Sequence, residues 1–440
     1  MRNADAIFYR FQIRFWIVGF FIGEEKLVRN FIKEYLDSGH TKADLTENFG
    51  IRFQECDGLT VYKYDQIESP KAEQIVRQAR GIILEDETNE IVHYPFYRFF
   101  NYGEIVEEEK RFNWSNAVMT EKVDGSLMGM FHYRGKWRLC TSSQIGGMNQ
   151  TSRSPYCYRE LVEMATQPLA LENFYQRLNP RFDYIFELVS PFNTIVTPYA
   201  ETRLYLLGVR DKEGDFREIP FQTAYNDDEI ISSELRDAAI LRIPMVKKAL
   251  DSSGNLLGLN EIVAMANRLD QSDEGFVVVD YSSYDPETGS FPRLKVKNAS
   301  YLALKYLHSS EIERSVSFEE ILSVVYQSEE DEFLAVLPQY QSLVSAVKSK
   351  WLAYVEEFRS VINDSEIKPF FDVPLSERDN RRGTFVKAVQ TRIDDKFDHN
   401  LLFMTFKSGK TPRQVLDDMI ATRGTDYVFK ILWRRVSRIS

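Results

Sequence analysis

The hydrophobic rhythm of this chain changes once, near residue 300, and that change limits the folds open to it. Between about Thr60 and Lys297 the apolar residues come in short runs of β type. Examples are Leu59-Thr60-Val61-Tyr62, Gly81-Ile82-Ile83-Leu84, Leu127 to Tyr133, Trp137 to Thr141, Tyr184 to Val189, Leu204 to Val209 and Phe276 to Val279. Asp-Gly, Arg-Gly and Glu-Gly pairs punctuate them. Helical patterns interrupt at Pro70 to Gln78, Pro155 to Thr166 and Leu259 to Leu269. After Ser300 the periodicity becomes helical, over Phe318 to Tyr326, Glu332 to Ile362, Leu375 to Val389 and Pro412 to Val436. Strands followed by helices imply an α+β fold, in which antiparallel sheets with flanking helices precede an all-α C-terminal domain. The expected division is an N-terminal extension over 1–45, a β-rich catalytic domain over 46–305 and a helical domain over 306–440, with the boundary near 305–315.

The extension carries an apolar run, Ala6 to Gly23, broken by Arg10 and Arg14. Its uncharged stretch is too short to span a bilayer, and Glu24-Glu25-Lys26 follows where a cleavage site would need small residues. It reads as a strand or packing segment, followed by a helix from Gly23 to Leu36 that ends at Ser38-Gly39. The three cysteines, Cys56, Cys140 and Cys157, are odd in number and unpaired in spacing, which favours a reducing, cytoplasmic compartment and argues against a zinc site. The expectation is a monomer without a membrane partner. Net charge is −11, so non-specific coating of nucleic acid is excluded, while a local basic face is not. Such a face is suggested beyond Arg378, where basic residues outnumber acidic ones about two to one.

The chemistry centres on Thr120-Glu121-Lys122-Val123-Asp124-Gly125-Ser126-Leu127. It reads as a lysine at a strand end followed by a tight Asp-Gly turn. A lysine becomes a nucleophile when burial or neighbouring charge favours its neutral amine.

Five other strings supply what such a lysine would need. Arg80 in Ala79-Arg80-Gly81-Ile82 suits a bidentate phosphate contact or a surface ion pair. Tyr97-Arg98-Phe99-Phe100-Asn101 sets a cation beside paired aromatics, for a triphosphate and a stacked base or for core packing. Glu187 interrupts the apolar strand of Phe186-Glu187-Leu188-Val189, and a carboxylate there needs a partner, either a ribose hydroxyl or a structural cation. Glu274 opens Glu274-Gly275-Phe276-Val277, with Gly275 allowing close ligand approach. In Arg293-Leu294-Lys295-Val296-Lys297, strand alternation puts both lysines on one face, which an intervening phosphate would stabilise.

In order and spacing these strings resemble the covalent nucleotidyltransferase superfamily, and most closely the ATP-dependent RNA ligase family typified by T4 phage RNA ligase 1. The likeness rests on Arg80-Gly81, Arg98-Phe99-Phe100-Asn101 and Lys122-Val123-Asp124-Gly125-Ser126-Leu127. It continues through the stretch from Phe186 via Ser190-Pro191, Asn193 and Ile195-Val196 to Tyr199, then Glu274-Gly275 and Lys295-Val296-Lys297 with Tyr301. It covers about residues 45–305.

The resemblance implies that Lys122 takes AMP from ATP, passes it to an RNA 5′-phosphate, and a 3′-hydroxyl then displaces it. Lys295 and Lys297 would stabilise the α-phosphate, Arg80 and Arg98 would hold phosphates, and Glu187 would hold the ribose. Glu274 would sit near the lysine and metal, with Asp124 in the catalytic set. Tyr62, Phe100, Gly125 and Gly275 would complete the ATP site, and Tyr301 matches a family tyrosine. Magnesium, or manganese, would accompany the nucleotide, with Asp331 of Glu329-Glu330-Asp331 as its candidate ligand.

Two departures from the family pattern stand out. Arg98 replaces a lysine, and the strand after the nucleophile reads Cys140-Thr141-Ser142-Ser143-Gln144 where the family has a basic residue. The implied substrate is RNA with 5′-phosphate and 3′-hydroxyl ends, such as a cleaved tRNA, with Arg381-Arg382 and Arg434-Arg435 as candidate backbone contacts.

Alternative readings are weaker. Gly409-Lys410-Thr411 is no P-loop, because Met404 occupies the position of the first glycine. A DNA ligase or capping enzyme lacks the helical tail's counterpart and would append an OB domain. A decayed RNA-binding protein would not retain Lys122, Asp124, Glu187, Glu274, Lys295 and Lys297 together.

Overall fold

In the computed structural model, residues 28–65, 69–149, 151, 154–248, 257–298, 300–301, 316–327, 329–330, 333–334 and 337–439 are described. The apolar N-terminal run, the expected boundary segment and Asp331 lie outside them.

Three sheets precede the helices, as the α+β reading anticipates. The first has the order β1 (Ile51–Cys56), β2 (Leu59–Tyr64), β3 (Arg80–Glu85) and β4 (Ile91–His93), all antiparallel. Asp57 and Gly58 turn the first hairpin with positive φ of 53° and 74°, the geometry a two-residue hairpin demands. Alternation along the strands divides the residues between two cores. Tyr62, Tyr64, Ile82 and Leu84 pack with Phe31, Ile32 and Leu45 of the helices Phe31–Asp37 and Lys42–Phe49. Leu59, Val61 and Ile83 pack on the opposite face against Phe131, Cys140 and Ile145. The second helix was not anticipated, although Thr41 and Asp44 form a reciprocal capping box and Gly50 closes it in the left-handed region.

The second sheet has the order β13 (Val246–Lys248), β6 (Ala117–Glu121), β14 (Gly275–Asp280), β15 (Arg293–Lys297) and β5 (Phe100–Asn101). Its apolar face, with Met119, Phe276, Val278, Leu294 and Val296, is covered by the helix Leu259–Ala266. The third sheet runs β11 (Arg217–Ile219), β10 (Arg203–Asp211), β9 (Phe182–Val189), β7 (Ser126–Tyr133) and β8 (Lys136–Thr141), with β12 (Leu241–Arg242) parallel to β10. Helices Tyr158–Ala165 and Leu171–Tyr175 cover its buried face. The chain passes from the second sheet to the third through Lys122-Val123-Asp124-Gly125, the four residues between β6 and β7.

Beyond residue 316 the described elements are helical. The expected helix from Glu332 to Ile362 is interrupted: Phe333 and Leu334 are helical, Pro338–Tyr340 forms a 3-10 turn, and a long helix then runs Gln341–Ile362. The expected helix Pro412–Val436 is two, Pro412–Arg423 and Thr425–Val436, broken at Gly424 with φ of 84°. Between them and Leu375–Gln390 lies Lys396–Ser408, opened by the Asp395 side chain and closed by Gly409 in the left-handed region. Gly409 is therefore a helix cap, and Thr411 caps the next helix, which removes the P-loop reading. Val347, Trp351, Tyr354, Phe385, Leu402 and Phe406 belong to the helical core, and Tyr301 is buried within it. Val196, from the loop after β9, packs against the same core.

Candidate active site

Lys122 ends β6 and is held by its backbone N–H, which donates to Gly275 O at 2.9 Å. Its Nζ donates to Glu274 Oε2 at 2.5 Å, and Lys297 Nζ lies 3.2 Å from Glu274 Oε1. One buried carboxylate thus bridges two lysines from neighbouring strands. The register explains the meeting, since Gly275 on β14 stands opposite Lys297 on β15, and Phe276 opposite Glu121. Gly275 has φ of +133°, and a Cβ there would collide with Val296 O. The expected alternation of β15 holds, with Leu294 and Val296 in the core and Lys295 and Lys297 on the opposite face.

Glu187, on β9, faces this group from the third sheet. Burial first, and the Glu274 charge with it, push its carboxyl up to about 7, against the opposing pull of Lys122 and Arg80. Gly125 permits the approach, because a Cβ there would collide with Leu188 O and meet Glu187 Cγ at 3.1 Å. Arg80 opens β3, its guanidinium 5.0 Å from the centre of the Phe99 ring, and burial leaves its Nη1 without a hydrogen-bond partner among the described residues. Lys295 Nζ lies 5.2 Å from the same ring. Two sheets thus bring Lys122, Glu187, Glu274, Lys295 and Lys297 together, with Arg80 and Phe99 at their margin.

Asp124, expected in the catalytic set, has a structural part in the site. It is buried, and its Oδ2 accepts the backbone N–H groups of Val196 at 3.0 Å and Thr197 at 2.9 Å. Its own N–H donates to the Tyr199 hydroxyl at 3.1 Å. Tyr301 hydrogen-bonds to the same carboxylate, and burial together with the Glu274 and Asp124 charges raises that phenol above its usual range. Asp124 is the clasp that holds the loop after β9, and Tyr301 with it, against the nucleophile's string.

Other expected ligands stand elsewhere. Tyr62 is fully buried on the face of β2 turned towards the helices, so it takes no place beside Lys122. Phe100 is 1 % exposed and enclosed by the guanidinium groups of Arg77 and Arg98, so it has no free face for a base. Phe99, its neighbour, is the aromatic ring among the cations. Arg98 is bound to Glu104 at 2.8 Å and acts as a strut of the core. Of the acidic triplet, Glu330 pairs with Lys348 at 2.9 Å, and the Glu329 charge acts on Tyr301. In the tail, Arg381, Arg382 and Arg434 are exposed, while Arg435 is held by Asp398 at 2.5 Å and by Glu357.

Among the described residues no three His, Cys, Asp or Glu side chains gather to hold a metal ion. The carboxylates beside Lys122 are Glu187 and Glu274, a set that suits a hard cation arriving with phosphate oxygens of its own. Among the described residues no helix is long and apolar enough to cross a membrane. All three cysteines are free.

A lysine paired to a buried carboxylate, flanked by further cations between two largely antiparallel sheets, suits the handling of phosphate esters. Comparison with known proteins narrows the class. The RNA ligase family profile of T4 RNA ligase 1 type matches residues 78–301, half of the chain, and the protein belongs to that family. A protein of Autographa californica nuclear polyhedrosis virus, named as a bifunctional polynucleotide kinase/RNA ligase, is 27 % identical over 82 % of this chain. This chain spans only 48 % of that relative's length. The RNA ligase of Rhodothermus phage RM378 is 24 % identical over 89 % of this chain and 95 % of its own. A solved archaeal ATP-dependent RNA ligase aligns over 93 % of this chain and 91 % of its own at 12 % identity and a TM-score of 0.39, too distant to bear on function.

Proposed function

We propose that the protein is an ATP-dependent RNA ligase that joins 5′-phosphate and 3′-hydroxyl ends through AMP carried on Lys122. The observation that carries this reading is the Glu274 carboxylate shared between Lys122 and Lys297. Glu274 is placed to accept a proton from Lys122 Nζ, and the freed amine attacks the α-phosphorus of ATP. A P–N bond forms, the bond to the bridging oxygen of the β-phosphate breaks, and pyrophosphate departs. Lys295 and Lys297 face the charge that grows on the α-phosphate oxygens. The ionised Glu187 accepts from the ribose hydroxyls. AMP then passes to an oxygen of the RNA 5′-phosphate, and a 3′-hydroxyl attacks that phosphorus and expels AMP.

Magnesium or manganese, held by phosphate oxygens with Glu187 or Glu274, would neutralise charge on the triphosphate. Residues 46–305 would form the adenylyltransferase unit, and 306–440 the part that selects the RNA, with broken tRNA among its candidate substrates. Exposed Arg381, Arg382 and Arg434 support backbone contact there. Action in RNA repair, by a monomer in the cytoplasm, is consistent with this chemistry.

Incubation with α-labelled ATP and magnesium should label the wild-type protein and leave Lys122→Ala unlabelled. Offering 5′-phosphate RNA, 5′-phosphate DNA and nicked duplex DNA side by side tests the substrate, and preference for nicked DNA would overturn the RNA reading.

A further inference from the structure

The family pattern places a basic residue on the strand after the nucleophile, where this chain has Thr141-Ser142-Ser143. The structure shows what stands against that point. Gly81 adopts φ of +100°, and a Cβ on it would lie 2.8 Å from Ser142 Cα, so the start of β3 touches the end of β8. The left-handed glycine produces an irregularity in the β2–β3 pairing between Tyr62 and Lys63, and Lys63 comes directly opposite Arg80. On its other side Lys63 stands opposite Arg52 of β1. Directly opposed residues share a face, so Arg52, Lys63 and Arg80 form a row of cations across three strands. It lies on the face that Leu59, Val61 and Ile83 use against the third sheet, and begins where that apolar contact gives way to Ser142.

Like charges set directly opposite one another destabilise a sheet unless an anion neutralises them. Arg52 has its anion, the Asp65 carboxylate. The Lys63 ammonium makes no ion pair and no hydrogen bond among the described residues, and Arg80 keeps its unpartnered Nη1. Among the described residues, Asp417 and Asp65 are carboxylates whose charges reach Lys63. Asp65 is engaged by Arg52, and Asp417 accepts from the Tyr326 hydroxyl at 2.8 Å and lies 3.4 Å from Arg413. Burial and the Arg52 and Arg80 charges pull the Lys63 ammonium below its ordinary range. Both Lys63 and Arg80 nonetheless keep partial solvent contact, as cleft residues do.

We infer that Lys63 is a phosphate-binding residue of this site, extending the cradle begun by Arg80 and supplying the positive charge that the strand at Ser142 lacks. The inference rests on the ligase reading above and adds to it a residue from the first sheet. The ligand is a phosphate ester group, with two sources: the β- and γ-phosphates of ATP, or the phosphates of the RNA strand carrying the 5′ end.

The test is Lys63→Met, which keeps the stem and removes the charge, with Lys63→Arg as the conservative partner. Two assays separate the sources. One titrates ATP in formation of the lysyl-AMP protein. The other measures sealing of RNA already bearing a 5′-adenylyl group, without ATP. Loss of a charged hydrogen bond predicts a rise of about ten- to a hundredfold in the KM for ATP in the first assay or for RNA in the second. Lys63→Arg should recover most of it. Lys63→Met should unfold at the same or a higher temperature, since it relieves repulsion within the row. Wild-type KM values in both assays would overturn the inference, as would a lower unfolding temperature that Lys63→Arg does not restore. A wild-type protein that forms no lysyl-AMP would instead sink the ligase reading itself.

Discussion

Lys122 and Lys297 share one carboxylate, with Glu274 Oε2 2.5 Å from the first and Oε1 3.2 Å from the second. The pairing fixes the Lys122 amine and gives its proton an acceptor. Glu274→Gln keeps the shape and removes that acceptor. It should slow formation of lysyl-AMP about 10²- to 10³-fold, measured in single turnovers, with little change in unfolding temperature. A rate within a factor of two of wild type would remove Glu274 from the reaction.

Glu187 predicts a pH dependence of opposite sign to that of an ordinary salt-bridged carboxylate. Its folded value of about 7 lies above the ordinary 4.5, so between those values the native state holds a proton that the unfolded chain has released. Stability therefore falls as pH rises through that window, by roughly 1–3 kcal/mol. Glu187→Gln should remove this decline in denaturant titrations at pH 5, 6, 7 and 8. If the ionised Glu187 holds the ribose as proposed, the KM for ATP should rise below about pH 7 in the wild type, and the variant should lose that inflection.

Asp124 clasps the loop after β9 through its carboxylate. Asp124→Ala strips the acceptor from two half-buried amides and from Tyr301, at a cost of about 2–4 kcal/mol seen in thermal or urea unfolding. If Asp124→Ala lost activity with unaltered stability, a chemical role would be restored to it.

The paired arginines of the tail should separate. Arg435→Ala leaves the buried Asp398 carboxylate without its cation and should destabilise by about 3–5 kcal/mol. Arg434→Ala, on the exposed side of the same helix, should leave stability within about 0.5 kcal/mol and weaken RNA sealing with a shallower salt dependence. Equal unfolding temperatures for the two variants would contradict the structure.

Much of this was legible in the sequence because strand periodicity is local. The runs around Leu127, Tyr184 and Phe276 became β7, β9 and β14, and alternation alone put Lys295 and Lys297 on one face. Where the reading failed, the missing information was a phase or a distant partner. Tyr62 is expected only from its likeness to a family tyrosine, which does not say which face of β2 it takes; packing of that face on the N-terminal helices turns it inward. Phe100 likewise follows from the resemblance, and its pairing with Leu294 of β15 turns it into the core. The role of Asp124 depends on amides more than seventy residues away, at Val196 and Thr197. Gly424 and the caps at Asp395 and Gly409, by contrast, were signals present in the sequence.

The loop that Asp124 clasps has a second attachment. Val196, whose amide that carboxylate accepts, lays its side chain on the helical core, and Tyr301 is sunk in the same core while bound to Asp124. Two tethers thus run from the helices to the residue two places beyond Lys122. Any shift of the helical bundle must either carry the nucleophile's string along or break hydrogen bonds to the buried Asp124 carboxylate. If the tail grips the RNA as proposed, a pull on the helices would reach the lysine's string through Val196 and Tyr301, gearing cargo to chemistry.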